Sequence, residues 1–310
     1  LPFGVNYIQL YGEDGITAVA VRGGNYGELV ASYAFASYNG GQGNALNGQH
    51  VLKMANGGTQ AEYVRSVNYG TDAVSQQPEV GKTNPWFLGS WNNTFSYKGF
   101  TLGIFLDARF GGLEWSSSYY YGMNDGNLKN SLRGRDAAHG GLTYTPATAN
   151  SQYLGFPLGT APRNDGVPLN GVFQAGSTAV GKDGGSHDVS GMTFDAAYKA
   201  GLVLPVNAAD YYVQAYGWSS GIRQLGVFEN SWVALRQVSL GYEIPPALIH
   251  KLKLNNLRVS LVGRNLLYLY NSAHNHINPE NSNDSGSGSA FEDGGVPYVR
   301  SYGFMLNTSF

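Results

Sequence analysis

The chain contains no cysteine, so neither a disulfide frame nor a thiolate metal site is available to it. Charge is scarce as well. Asp, Glu, Lys and Arg make up 13% of 310 residues, about half of the roughly 25% usual in soluble domains. The net charge of −2 excludes the basic field that nucleic-acid binding needs. There is no run of about 18 apolar residues, so no transmembrane helix is expected, although alternating membrane strands would escape that search. The opening Leu1-Pro2-Phe3-Gly4 has no charged or apolar leader region, so no signal peptide is read here. Neither a G-x-S-x-G elbow nor a phosphate-loop lysine motif occurs. With no catalytic constellation, the chain is not expected to be an enzyme, and no cofactor or resident metal is expected.

Aromatics and glycine are what the chain has in quantity. Aromatic residues reach 13%, led by 22 Tyr, and there are 44 Gly, about twice the usual share of roughly 7%. Many turns, few charges and many Tyr and Trp describe strands with an aromatic belt rather than a soluble surface.

Period-two alternation is the leading local signal. At the end of the chain Tyr298, Arg300, Tyr302, Phe304, Leu306, Thr308 and Phe310 share one face, while Val299, Ser301, Gly303, Met305, Asn307 and Ser309 share the other. A hairpin is expected over 86–97 and 101–110, joined at Lys98-Gly99, where glycine supplies the positive φ of a two-residue turn. Phe87, Trp91 and Phe95 fall on one face of its first strand. Leu102, Ile104, Leu106, Ala108 and Phe110 fall on one face of the second, and Thr101, Gly103, Phe105, Asp107 and Arg109 on the other. Charge on an inward face is costly in a dry core and ordinary in a watery lumen. Asp107 and Arg109 can form a lumen charge pair on a substrate path or simply steady adjacent strands.

A strand over 231–243 carries Trp232, Ala234, Val238, Leu240 and Tyr242 on one face, which Arg236 breaks; a bulge is one way to accommodate it. Pro245-Pro246 stops that strand, and a further one covers 257–270, its phase unsettled through Gly263-Arg264-Asn265. Fainter strands are read at 5–11, 16–22, 27–37 and 60–69. Residues 112–229 are expected to form one very long loop excursion and 271–296 another, opposite the short turns. That asymmetry is typical of outer-membrane barrels.

Four blocks resemble the SusC/RagA family of TonB-dependent outer-membrane transporters. They are GGNYGELVA over Gly23–Ala31, GKTNPWFLGSWNNTFSYKGFTLGIFLDARF over Gly81–Phe110 and SWVALRQVSLGYEIP over Ser231–Pro245. The fourth joins Leu257–Asn271, Asn278-Pro279-Glu280 and Gly294–Phe310. The last three fall in the family's order, departing at Ala234, where the family often has Arg. The resemblance implies an all-β, transmembrane antiparallel barrel of about 22 strands, of which residues 1–310 would be the C-terminal portion. It implies a plug and TonB-contact segment on parts of the protein outside these residues, and a SusD-like lipoprotein lid. It further implies TonB-dependent import of an oligosaccharide or oligopeptide across the bacterial outer membrane. On that reading Leu1 is not the protein's beginning and Phe310 is its end. Tyr302, Phe304, Leu306 and Phe310 then form the aromatic-ended signal that barrel-insertion machinery recognises.

Other residues invite two readings. Trp115, Tyr119, Tyr120 and Tyr121 open the long excursion, and Tyr211, Tyr212, Tyr216 and Trp218 stand near its far end. Flat rings of this kind stack on sugars or peptide side chains, yet an interfacial girdle is their commoner use in a membrane protein. His274 with His276 lacks a third ligand. Asn281, Asn283, Asp284 and Glu292 do not match a calcium-loop spacing. Two other functional classes remain open: a small self-contained barrel acting as adhesin or enzyme, since about eight strands can close one, and a soluble carbohydrate-binding β-sandwich.

Overall fold

The structure, a computed structural model, describes residues 7–11, 18–22, 28–30, 34–65, 79–145, 161–218, 221–249, 254–273, 277–281, 291–292, 294–295 and 299–309. The chain divides into two units, Leu1–Gly81 with Trp115–Val227, and Lys82–Glu114 with Phe228–Phe310.

The second unit is built on a five-stranded sheet. Its strands are β1 (Phe87–Tyr97), β2 (Phe100–Phe110), β3 (Trp232–Glu243), β4 (Asn256–Asn271) and β5 (Ser301–Ser309). The order is β5-β4-β3-β2-β1, antiparallel throughout. β1 and β2 close at Tyr97↔Phe100 around Lys98 and Gly99, whose φ values of 46° and 83° make the expected two-residue turn.

Residues paired across antiparallel strands point to the same face. The register therefore joins Trp91 to Leu106, Leu106 to Leu235, Leu240 to Leu261 and Leu261 to Phe304. One face of the sheet is thus apolar from edge to edge. It is also uncovered among the described residues: Leu261 is 60% exposed, Phe304 65% and Tyr302 77%. Aromatic rings band this face at both ends. Phe100 packs on Tyr242 at 4.5 Å at the short-turn end, and Phe110 meets Trp86 at 5.7 Å and Phe87 at 5.9 Å at the other. The opposite face carries Asn92, Thr94, Thr101, Gly103, Asp107, Arg109, Ser239, Gly241, Ser260 and Asn307.

Arg236 is the bulge. Leu235 pairs with Leu106 and Gln237 with Phe105, so β3 has one residue more than β2 at this point. On β4, Asn265 takes φ 51° where the pairing also shifts, which resolves the phase through Gly263-Arg264-Asn265. The bulge corrects the face assignment for β3. Trp232 and Ala234 pair with Arg109 and Asp107 and are buried on the polar side, opposite Val238 and Leu240, because one extra residue inverts the alternation.

The first unit takes in most of the stretch expected to run as a loop excursion over 112–229. It contains helices α1 (Ser117–Asn124), α2 (Phe194–Lys199) and α3 (Ala208–Ala215). Ser116, Thr193 and Asn207 cap them, each side-chain oxygen accepting a backbone N–H three residues on. Short strands surround the helices. Val51–Ala55 pairs with Gln60–Tyr63 and, in parallel, with Val172–Phe173; Arg163–Val167 pairs with Leu142–Tyr144 and Val206–Asn207. Leu52, Tyr120, Val172, Phe173, Phe194 and Val203 are fully buried, so this unit has a core of its own. Strand dominates the chain, and no helix among the described residues is long and apolar enough to cross a membrane.

Candidate functional site

On the polar face of the sheet, Asp107 and Arg109 do not pair with each other. Side chains two apart on a strand lie roughly 7 Å apart along the chain, and each finds a nearer partner. Arg109 donates to the backbone carbonyls of Thr83 (3.0 Å) and Asn230 (3.2 Å). Asp107 accepts from Arg236, at 3.2 Å. Arg236 also binds both carboxylate oxygens of Glu280 (2.7 Å from Nη1 to Oε2) and lies 4.9 Å over the Trp232 ring. The Tyr268 hydroxyl stands 2.7 Å from Glu280 and 2.9 Å from the Asn278 side-chain oxygen. Asn230 donates to the Pro279 carbonyl at 2.8 Å. The Asn278-Pro279-Glu280 triplet is thereby fastened to the sheet at three points, by residues of β3, β4 and the approach to β3. In sequence, Arg236 stood out only as a break in a face.

Near this network Glu114 is almost wholly buried. Burial pushes its carboxyl up to about 8; the Arg109 guanidinium opposes that rise and the Glu292 carboxylate adds to it. Asn230 donates to one Glu114 oxygen, while the other has no hydrogen-bond partner among the described residues, as suits a neutral acid.

In the first unit, the aromatics from the two ends of the excursion meet in one cluster. Trp115 and Tyr120 are interior, not a lipid-facing girdle or an open stacking platform. Their polar ends have partners inside the fold: Trp115 Nε1 donates to the Arg223 carbonyl at 3.0 Å, and the Tyr120 hydroxyl donates to the Gly217 carbonyl at 3.2 Å. Arg223, itself buried, lies 4.8 Å over the Tyr120 ring and donates to the Tyr121 hydroxyl at 3.1 Å. Tyr121 and Trp218 stack at 5.1 Å and 23° between planes. Trp218 stays half-exposed and is the one ring of the five expected binding residues that presents itself openly.

Tyr119 is buried yet borders a cavity of about 460 Å³ with Tyr211, Tyr212 and Tyr216. Tyr119 meets Tyr216 edge-on at 6.4 Å, and Tyr212 stacks on Tyr216 at 6.0 Å. The Tyr212 hydroxyl donates to the Arg133 carbonyl at 2.8 Å, pinning the opposite wall. That wall supplies Lys129, Arg133 and His139. Sequence reading missed these three because they lie in an aperiodic stretch that matches no ligand spacing. Burial raises the Tyr211, Tyr212 and Tyr216 phenols above their ordinary range and keeps them protonated.

Tyr302, Phe304 and Leu306 share the exposed apolar face; Phe310, the last member of the expected assembly signal, lies outside the described residues, as do His274, His276, Asn283 and Asp284. Among the described residues, no group of three or more His, Asp or Glu side chains could hold a metal.

No protein-family model matches the chain, and neither does any curated protein. Among solved structures it is similar to the RagAB peptide transporter, at 14% identity and a TM-score of 0.46. The RagAB peptide importer in its open-open and closed-closed states scores 0.44 and 0.43, also at 14% identity. In each case all of this chain is covered and 25% of the other, so the chain spans a quarter of the length of those it matches.

Proposed function

We propose that this chain forms part of an outer-membrane β-barrel of the SusC/RagA type. On this reading it imports an oligosaccharide or oligopeptide, drawing energy through TonB and closing under a SusD-like surface lipoprotein. Its chemistry is binding and gated passage rather than bond making. One observation carries the proposal: the uncovered apolar face of the five-stranded sheet, banded by aromatics at both ends. From Phe100 to Phe110 the strand advances roughly 33 Å at ~3.3 Å per residue. At a tilt near 40° this spans about 25 Å, the height of the apolar band on outer-membrane barrels. A soluble sandwich would pack this face against a second sheet; here it is exposed. The outer strands β1 and β5 each leave one edge unpaired among the described residues, and open edges do not persist in lipid. On this reading, further strands of the barrel pair with these two edges.

The test is a deletion of the gene in its host. Loss of growth on one class of oligomer, restored by the wild-type gene but not by one lacking the plug-encoding part, is the expected result. Unchanged uptake of every oligopeptide and glycan offered would reject the importer reading.

A further inference from the structure

The cavity of the first unit has one sign of charge. Lys129, Arg133 and His139 border it and no Asp or Glu does. His139 is engaged with Asp136, which lies outside the lining, at 2.8 Å. Lys129 and Arg133 have no carboxylate partner among the described residues. The Arg133 guanidinium is close enough to Tyr211 and Tyr212 to act on both phenols electrostatically, and the Tyr211 hydroxyl has no hydrogen-bond partner among the described residues. About 460 Å³ falls within the usual range for small-ligand sites.

We infer that this cavity is a binding site for a carboxylate-bearing group of the imported oligomer. Arg133 and Lys129 would take the carboxylate, the Tyr211 hydroxyl would donate to it, and Tyr119 and Tyr216 would cover its apolar or sugar face. Guanidinium offers a fork matched to carboxylate geometry, which lysine supports as a point charge. An uncompensated cationic wall would also concentrate anionic solute near the opening. Binding follows from the cavity alone; its role in selecting what is imported rests on the importer reading.

The experiment titrates the full-length protein in detergent by calorimetry with two matched pairs. One is a glutamate-rich oligopeptide and its glutamine counterpart. The other is an oligogalacturonide and its methyl ester. At least one acid should bind about ten-fold tighter than its neutral partner, the loss typical of one charge-assisted hydrogen bond. The double variant Lys129→Gln/Arg133→Gln should erase that preference without moving the thermal transition, since both side chains are exposed. Preference for the acidic peptide assigns the carboxylate to peptide, and preference for the galacturonide to glycan. If neither acid binds, if acid and neutral forms bind alike, or if the double variant keeps the preference, the inference is overturned. A gene-deletion strain that still takes up the bound oligomer would end the importer reading while leaving the site intact. Uptake that depends on the gene while binding ignores both cations would end this inference alone.

Discussion

Arg236 shows how one inserted residue redirects a strand. Without it, β3 would continue its alternation and carry Trp232 and Ala234 onto the apolar face. With it, Arg236 and Gln237 both serve the polar face, and Arg236 sits between Asp107 and Glu280. Arg236→Ala leaves two carboxylates facing each other without their cation. Because the site is partly solvated, the expected destabilisation is about 1–3 kcal/mol, below that of a fully buried pair. The same variant should free Glu280 and increase protease cleavage between 271 and 300. Unchanged cleavage there would show that the triplet is held by Tyr268 and Asn230 instead. Glu114 allows a pH test. Burial pushes its carboxyl up to about 8 in the folded state, above the unfolded value of about 4.3, so the folded state holds the extra proton between those limits. The contribution of Glu114 to stability is therefore fully present below the lower value and is lost as pH rises toward about 8. Glu114→Gln, neutral at every pH, should flatten that part of the stability profile; an unchanged slope would show that Glu114 is ionised when folded.

Among the elements, the β1–β2 hairpin and strand β5 carry the clearest tests. Gly99 sits at φ 83°, and a side-chain carbon there would come within 3.3 Å of the Glu243 carbonyl and the Tyr242 ring. Gly99→Val should cost about 1–2 kcal/mol from backbone conformation alone, read as a lowered urea midpoint. A midpoint equal to wild type would mean that the turn is not held in this form. On β5, Phe304→Arg places a charge on the exposed apolar face, which under the proposed membrane reading costs about 2–4 kcal/mol near the bilayer midplane, while Asn307→Arg lies on the polar side. The first should reduce the amount of protein in the outer membrane and the second should not. Equal effects would remove the distinction between the faces.

The β1–β2 hairpin was legible in sequence because a strict two-residue period met a distinctive turn at Lys98-Gly99, and β5 was legible from its period alone. The bulge was legible only as an interruption at Arg236. Which side of it inverted depended on pairing with β2, a partner more than a hundred residues away. Residues 112–229 were unreadable for a different reason. Strands of two to five residues and helices of six to eight are too short to establish a period, although Ser116, Thr193 and Asn207 stand at their caps. The Tyr cluster was visible as composition, but its division into interior rings and cavity lining depends on which residues pack behind them.

At the scale of the whole molecule, the two units differ in what they present. The sheet unit carries the membrane reading, and the other unit carries the cavity. Blocks of sequence in a familiar order suggested a barrel, and the register across five strands gives the sheet one continuous apolar face. An apolar face this large on a soluble protein would be an aggregation hazard; in lipid it is the stabilising surface. The absence of cysteine makes the decisive measurement direct. Single cysteines are introduced along β5 at Tyr302, Gly303, Phe304, Met305, Leu306 and Asn307 in the full-length protein, with any cysteine outside these 310 residues replaced, and labelled in outer-membrane vesicles. If this face meets lipid, a water-soluble maleimide reacts at Gly303→Cys, Met305→Cys and Asn307→Cys and leaves Tyr302→Cys, Phe304→Cys and Leu306→Cys unlabelled until the vesicles are dissolved and the protein denatured, because a thiol in lipid stays un-ionised. Water-soluble labelling at all six positions, or at the three aromatic and leucine positions alone, would contradict the membrane reading.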